Sequence, residues 1–313
     1  MGDATPSTVT VNLQRTKPKR ELTAGYRFLR RPAFRIGAVI ALVLLVVAVV
    51  LPLFIGVSPY AVAPEIKLSS PNGSHLYGTD DYGRDLFSRT NAGFKVSVMI
   101  GASVAVGTAI IGTLMGAVAG YYKVFDAVLM RICDGLMAFP GILLAMALVA
   151  SLGPSLGNVI LALTIVLSPG IARLVRARVL TVKESLYIEA IRSQGASSFR
   201  ILVRHILPNT VNVLLVQTAY IFADSIMVEA ALSFLGAGVS PPTPSLGNIL
   251  YDGKQVFLTS PWMVIFPAIT LIATVMTVNL LGDAVRETLD PRASRKRWTR
   301  RARAEWRKDT SNV

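Results

Sequence analysis

Six stretches of about 20 predominantly apolar residues punctuate this chain of 313 residues, and each is long enough to cross a bilayer as a helix. They run at Ile36–Gly56, Val96–Gly120, Ala127–Ala150, Val159–Leu180, Val211–Phe234 and Trp262–Leu281. In hydrocarbon no water satisfies backbone N–H and C=O groups, so such runs fold as helices that bond internally. The expected class is therefore an all-α integral membrane protein with six transmembrane helices. With 52% apolar and 16% charged residues, the chain has too little polar surface for a soluble domain of this length.

Two runs are interrupted. The third carries Arg131 and Asp134 in its first turns and meets Pro140–Gly141 midway. The fourth carries Pro169–Gly170 and runs into Arg173, Arg176 and Arg178. Such breaks survive only where neighbouring helices or water satisfy the freed backbone, which implies a bundle with a polar interior or pathway. The first run follows a stretch of about 35 residues, too long for the charged region of a secretory signal, and reads as an uncleaved anchor.

Lysine and arginine set the orientation. They crowd the N-terminal tail, the loop after the second run (Lys123, Arg131), the loop between the fourth and fifth runs (Lys183, Arg192, Arg200, Arg204) and the C-terminal tail. The opposite side holds only Lys67, Arg84, Arg89, Lys95 and Lys254. Both termini are thus expected in the cytoplasm, as an even span count requires. The organisation is a basic cytoplasmic tail at 1–35, the first helix and an external loop at 36–95, and a core at 96–282 with a cytoplasmic loop at 181–209. A basic cytoplasmic tail follows at 283–313. The net charge of +14 does not mark a nucleic-acid binder, because it is concentrated on one membrane face. Arg295–Lys308, with Trp298 and Trp306, reads as a juxtamembrane segment held by anionic lipid. Cys133 is the one cysteine, so no disulfide constrains the fold.

Within the spans, Gly112, Gly116 and Gly120 form a ridge of small residues four apart. It suits either a moving or subunit interface, or close packing inside the bundle. Asp224 and Glu229 lie at membrane depth, where ionisable groups are functional candidates; a structural carboxylate is the alternative. Asp126 and Asp134 fall near the cytoplasmic end, and His205 reads as a surface residue.

The external loop contains Gly78, Thr79, Asp80, Gly83, Arg84, Asp85 and Arg89. Glycine beside Asp and Thr is turn chemistry. Carboxylates alternating with arginines are a poor metal-ligand set, so a charge-stitched turn is expected and no metal. On the cytoplasmic side, Tyr187–Asn209 reads YIEAIRSQGASSFRILVRHILPN. Gly195 permits a sharp turn between two short helices, and Pro208 stands where a following helix begins and a missing N–H costs little.

These two loops resemble known motifs. H-x-x-G-T-D-x-x-G-R-D-x-x-S-R from His75, followed by Gly93-Phe94-Lys95-Val96-Ser97, is similar to the start of the C-type permease of dipeptide and oligopeptide ABC importers, with Tyr77 where that family has Leu. Glu189, Ala190, Arg192, Gly195, Ala196, Leu207 and Pro208 resemble the family's EAA loop, which docks on the ATPase. Asp126–Arg131 with Asp134 and Ala138–Pro140, Glu229–Gly236 with Pro241–Ser245, Asn279–Asp283 and Leu289–Arg292 match further family segments. Leu246 departs from the usual Trp.

The resemblance implies a type I importer bundle in a bacterial inner or plasma membrane. It also implies a homologous B-type permease, two ABC ATPase subunits and an extracytoplasmic solute-binding protein as partners. Cargo in this family is mainly di- and oligopeptides, with nickel and other small solutes. The chain has no G-x-x-x-x-G-K-[ST], so ATP and Mg are expected on the partner ATPases, with no cofactor or catalytic residue on this chain. Ala190, Ile191 and Ala196 are expected to seat in a groove on the ATPase, and Glu189 and Arg192 to make charged contacts there. Among rival readings, an ion-coupled secondary transporter requires an internal repeat and midplane ion ligands; no repeat is clear between the halves, and deep carboxylates are few. A membrane enzyme requires a catalytic cluster, but His75 and His205 lie on opposite faces.

Overall fold

A computed structural model describes residues 32–47 and 56–289. The two basic tails, and the second half of the first apolar run, lie outside the described residues. Among the described residues all regular elements are helical, apart from one isolated bridge between Thr79 and Asp85. The helices are α1 (Pro32–Leu45), α2 (Leu86–Tyr121), α3 (Lys123–Met137), α4 (Gly141–Leu152), α5 (Leu156–Lys183), α6 (Leu186–Ser193), α7 (Val211–Phe234), α8 (Leu246–Gln255) and α9 (Trp262–Leu289).

Four helical stretches are long and apolar enough to span: α2, α5, Ser198–Phe234 and α9. The third expected span is not one straight helix. It is the pair α3 and α4, bent by 93°. Pro140 disfavours helical backbone in the residue before it and lacks the N–H that would continue α3. It takes the N-cap position of α4, with ψ 124°. Counted as one broken span, the pair makes a fifth, and α1 begins the first apolar run. Six spans are compatible with this arrangement.

Helix α2 is the centre of the bundle. It starts ten residues before its apolar run because Asp85 caps it, accepting a hydrogen bond from the Ser88 N–H at 2.7 Å. Its glycine ridge packs against α5 in the same chain. A Cβ at Gly112 would lie 2.5 Å from Ile171 Cβ, and one at Gly120 would lie 2.8 Å from Val179 Cβ. At Gly116 a Cβ would meet the Ala172 carbonyl oxygen, with Val175 Cβ at 2.8 Å. The ridge is therefore internal packing and is not free for a second subunit. Gly101 makes a comparable close approach to Phe222 and Ile226 of α7.

Two apolar cores result. One joins Ile100 and Val104 of α2, Ala145 and Val149 of α4, Val159 and Leu163 of α5, and Leu232 of α7. The other lies toward the end that carries α6 and joins Tyr121, Ile171, Val175 and Val179 to Ile188 of α6, Ile201, Ile206 and Ile221. Helix α1 lies along α9, with Gly37 against Leu280 and Leu281.

Gly116→Leu has no room to relax, since the new side chain meets backbone. Overpacking of this kind costs about 1–3 kcal/mol or more. The expected result is a sharply lowered melting midpoint in detergent. Gly135→Leu is the control, because nothing lies within 4 Å of its Cβ position.

Candidate functional site

The end of the bundle that carries the 181–209 loop is built as one connected block. Ser185 precedes α6, with Glu189 in its first turn and Arg192 in its last, the arrangement that suits a helix dipole. Gly195 then turns the chain with φ +83°, a conformation costly for any residue with a Cβ. Ser197 caps the next turn through the Arg200 N–H at 3.4 Å. From Ser198 the chain runs without a break into α7 as a helical stretch of 37 residues.

That stretch contains a π-helical segment, Ile201–Ile206, and then a 3-10 turn, Leu207–Thr210. Pro208 explains the irregularity. It offers no N–H to the Arg204 carbonyl, and the ladder widens so that the Leu207 N–H reaches Leu202 O. Such π-segments are frequent at functional sites.

The block is fastened to the bundle. Ile188 is fully buried in the second apolar core. The Tyr187 hydroxyl donates to His205 O at 3.0 Å, and Asn209 Nδ2 donates to the same carbonyl at 2.7 Å. Lys183 Nζ donates to Tyr121 O at 2.6 Å, joining the ends of α5 and α2. Arg176 grips Asp126 with two bonds of 2.5 and 2.7 Å, and Arg173 holds Asp134 at 2.6 Å. These pairs tie α3 to α5.

The block exposes large apolar side chains. Leu186 is 82% exposed and Phe199 71% exposed, with Tyr187 and Val203 also open. Glu189, Ala190 and Arg192 are exposed beside them. Glu189 makes no ion pair among the described residues. A solvated patch of large apolar groups with charges beside them is the anatomy of a protein-docking surface.

The opposite end of the bundle, with the loop before α2, is equally ordered. Asp80 is buried, and both of its oxygens are taken. Oδ1 accepts from the Tyr82 and Arg84 N–H groups, each at 2.9 Å. Oδ2 lies 2.6 Å from Arg84 Nε and 3.2 Å from Arg89 Nε. Arg89 extends to Asp252 of α8 at 3.8 Å, and His75 Nδ1 lies 2.9 Å from Asp85 Oδ2. Burial, with Asp80 next, pushes the Asp81 carboxyl up; burial likewise raises Asp252. Thr79 bonds to Ile66 O and, at 2.9 Å, to the Ser69 N–H. Gly78 (φ +76°) and Gly83 (φ +73°) have backbone carbonyls of Ser69 and Ala63 where a Cβ would sit. Tyr77 stacks on Phe266 at 4.2 Å and meets Phe87 edge-on at 5.0 Å.

The two carboxylates of α7 differ. Glu229 is fully buried, accepting from Ser97 at 3.0 Å and Ser233 at 2.8 Å. Ser97 also accepts from the Leu246 N–H at 3.3 Å, so this cluster joins α2, α7 and α8. Asp224 is exposed and lines a cavity of about 270 Å³ between α7 and α9.

Residues 108–295 match the family described as binding-protein-dependent transport system inner membrane component. The chain belongs to that family. A permease protein of Brucella suis named for peptide transport is 45% identical over 266 residues, covering 85% of this chain and 90% of that one. The dipeptide transport system permease protein DppC of Alkalihalophilus pseudofirmus is 40% identical, covering 82% and 85%. The glutathione transport system permease protein GsiD of Escherichia coli is 41% identical, covering 88% and 93%. Among solved structures, an inward-facing conformation of the MetNI methionine ABC transporter matches with a TM-score of 0.53 at 20% identity. It covers 63% of this chain and 94% of that one, and shows the same fold.

In this permease the structure gathers Glu189, Ala190, Arg192, Gly195 and Ala196 on one block with Leu207 and Pro208 at its base. Ile191 and Ala196 are half-buried, packed in part against the permease's own core. Leu186, Tyr187 and Phe199 take the exposed positions. The apolar spacing of Ile188, Ile191 and the Ile201–Ile206 segment was the available signal for which face turns inward.

Proposed function

We propose that this permease is one half of a heterodimeric, ATP-driven importer of di- or oligopeptides. Its partners are a homologous B-type permease, two ABC ATPases that carry ATP and Mg, and an extracytoplasmic solute-binding protein. The observation that carries the reading is the block at Leu186–Pro208. It exposes large apolar side chains, and it is continuous through Ser198 with the spanning helix α7. A partner that closes on Phe199 and Glu189 moves α7 with it, because Ile188 and the bonds to His205 O leave no slack. ATP then biases the bundle between outward- and inward-facing forms. The peptide cargo follows the names of the relatives in Brucella and Alkalihalophilus.

Glu229 disfavours the ion-coupled alternative. Hydroxyls close around it, and among the described residues no second carboxylate bonds to it to relay a proton. Proteoliposomes holding the two permeases and two ATPases, supplied with the binding protein, are expected to accumulate Ala-Ala only with ATP and independently of proton or sodium gradients. Gradient-driven uptake without the ATPases would contradict this reading.

A further inference from the structure

We propose that Asp224 forms an ammonium-binding subsite for cargo on the translocation pathway, with Gln217 and Asn279 as neutral hydrogen-bonding partners and Met227 and Val275 as apolar walls. This rests on the importer reading above and adds to it which group of the cargo is held, and where.

Asp224 lies near the middle of the 24-residue helix α7, at a depth where an uncompensated carboxylate is expensive. Other carboxylates on the spanning elements have partners. Asp126 and Asp134 are held by Arg176 and Arg173, Glu229 by Ser97 and Ser233, and Asp283 by the Tyr220 hydroxyl at 2.5 Å. Among the described residues Asp224 has no ion pair and no hydrogen bond. It instead faces a cavity of about 270 Å³ lined by Gln217, Tyr220, Met227, Val275 and Asn279.

The lining defines the ligand. Tyr220 gives its one hydroxyl proton to Asp283, so it does not donate to Asp224. Gln217 and Asn279 each offer an amide oxygen that accepts from a cation. A carboxylate, two amide oxygens and apolar walls together recognise an organic ammonium and disfavour an anion. The volume suits the end of a small cation and not a whole oligopeptide. A peptide supplies that group either as its free N-terminal ammonium or as a lysine side chain.

The test uses the assembled transporter in membranes, with Cys133→Ala as background and Met227→Cys as reporter; Val275→Cys serves if the first variant does not assemble. The probes are a cationic (aminoethyl) and an anionic (sulfonatoethyl) methanethiosulfonate reagent. A charged cleft raises the local concentration of its counter-ion by about tenfold or more. The cationic reagent is expected to react about tenfold faster, with Asp224→Asn abolishing that preference. Protection by Ala-Ala but not N-acetyl-Ala-Ala assigns the N-terminal ammonium, and protection by N-acetyl-Ala-Lys alone assigns the side chain. Equal rates for the two reagents, no reaction at either reporter, or protection by none of the peptides overturns the subsite. Equal reagent rates with intact ATP-driven uptake overturn the subsite alone. A normal cationic preference without ATP-driven uptake overturns the importer reading instead.

Discussion

Glu189→Arg abolishes ATP-driven uptake, a fall of about 100-fold or more, while the permease stays folded and inserted. The reason is where Glu189 stands. It is exposed on α6, makes no ion pair among the described residues, and shares the Leu186–Pro208 block with the open Leu186 and Phe199. Its replacement disturbs no internal contact, so the fold is expected to survive. At a docked interface a reversed charge places like against like, which costs several kcal/mol, and each 1.4 kcal/mol is about tenfold. Phe199→Ala removes a large apolar anchor and is expected to weaken ATPase retention by about 30-fold, the loss of roughly 2 kcal/mol at a hot spot. Gly195→Trp tests the same block by bulk and strain. Nothing lies within 4 Å of its Cβ position, so the fold has room, but φ +83° is costly and the indole projects beside the docking face. Uptake measured on membranes with equal permease content reads all three, and normal uptake by Gly195→Trp would rule out the rigid-lever mechanism.

The second large effect is on stability. Glu229→Ala removes the acceptor for the Ser97 and Ser233 hydroxyls and leaves a void where α2, α7 and α8 meet. Each buried hydroxyl left without its acceptor costs about 1–3 kcal/mol, so the loss is about 3 kcal/mol after partial relaxation. For a chain of this size the melting midpoint is expected to fall by roughly 5–10 °C. Glu229→Gln keeps one oxygen acceptor and the side-chain volume, and is expected to keep most of the stability and transport. If Glu229→Gln melts normally yet loses all transport, Glu229 has a role in the transport cycle beyond this joint.

The sequence revealed much of this because hydrocarbon leaves the backbone few choices. Apolar length located α5, α7 and α9 closely, and charge asymmetry gives the block containing Glu189 its expected side. What it missed depends on tertiary contact. The Gly112–Gly116–Gly120 ridge reads equally as an interface or as internal packing until Ile171, Ala172 and Val179 are seen filling it. The 93° bend at Pro140 was visible as a break but not as an angle, which the packing of Ala145 and Val149 determines. Ile191 and Ala196 are apolar residues in a basic loop, and only the core cluster around Ile188 shows that they are half-buried against the bundle. Asp224 and Glu229 lie five positions apart on one helix, and sequence alone assigned them the same standing. The structure separates them through Ser97, a residue distant in sequence.

The most direct test is to purify the tagged permease in mild detergent from its native membranes, intact and as Phe199→Ala, and to identify what comes with each. The intact chain is predicted to bring a second permease of the same family and P-loop ATPases, and Phe199→Ala to keep the permease but lose the ATPases. Recovery of the intact chain alone, or only with copies of itself, would contradict the account.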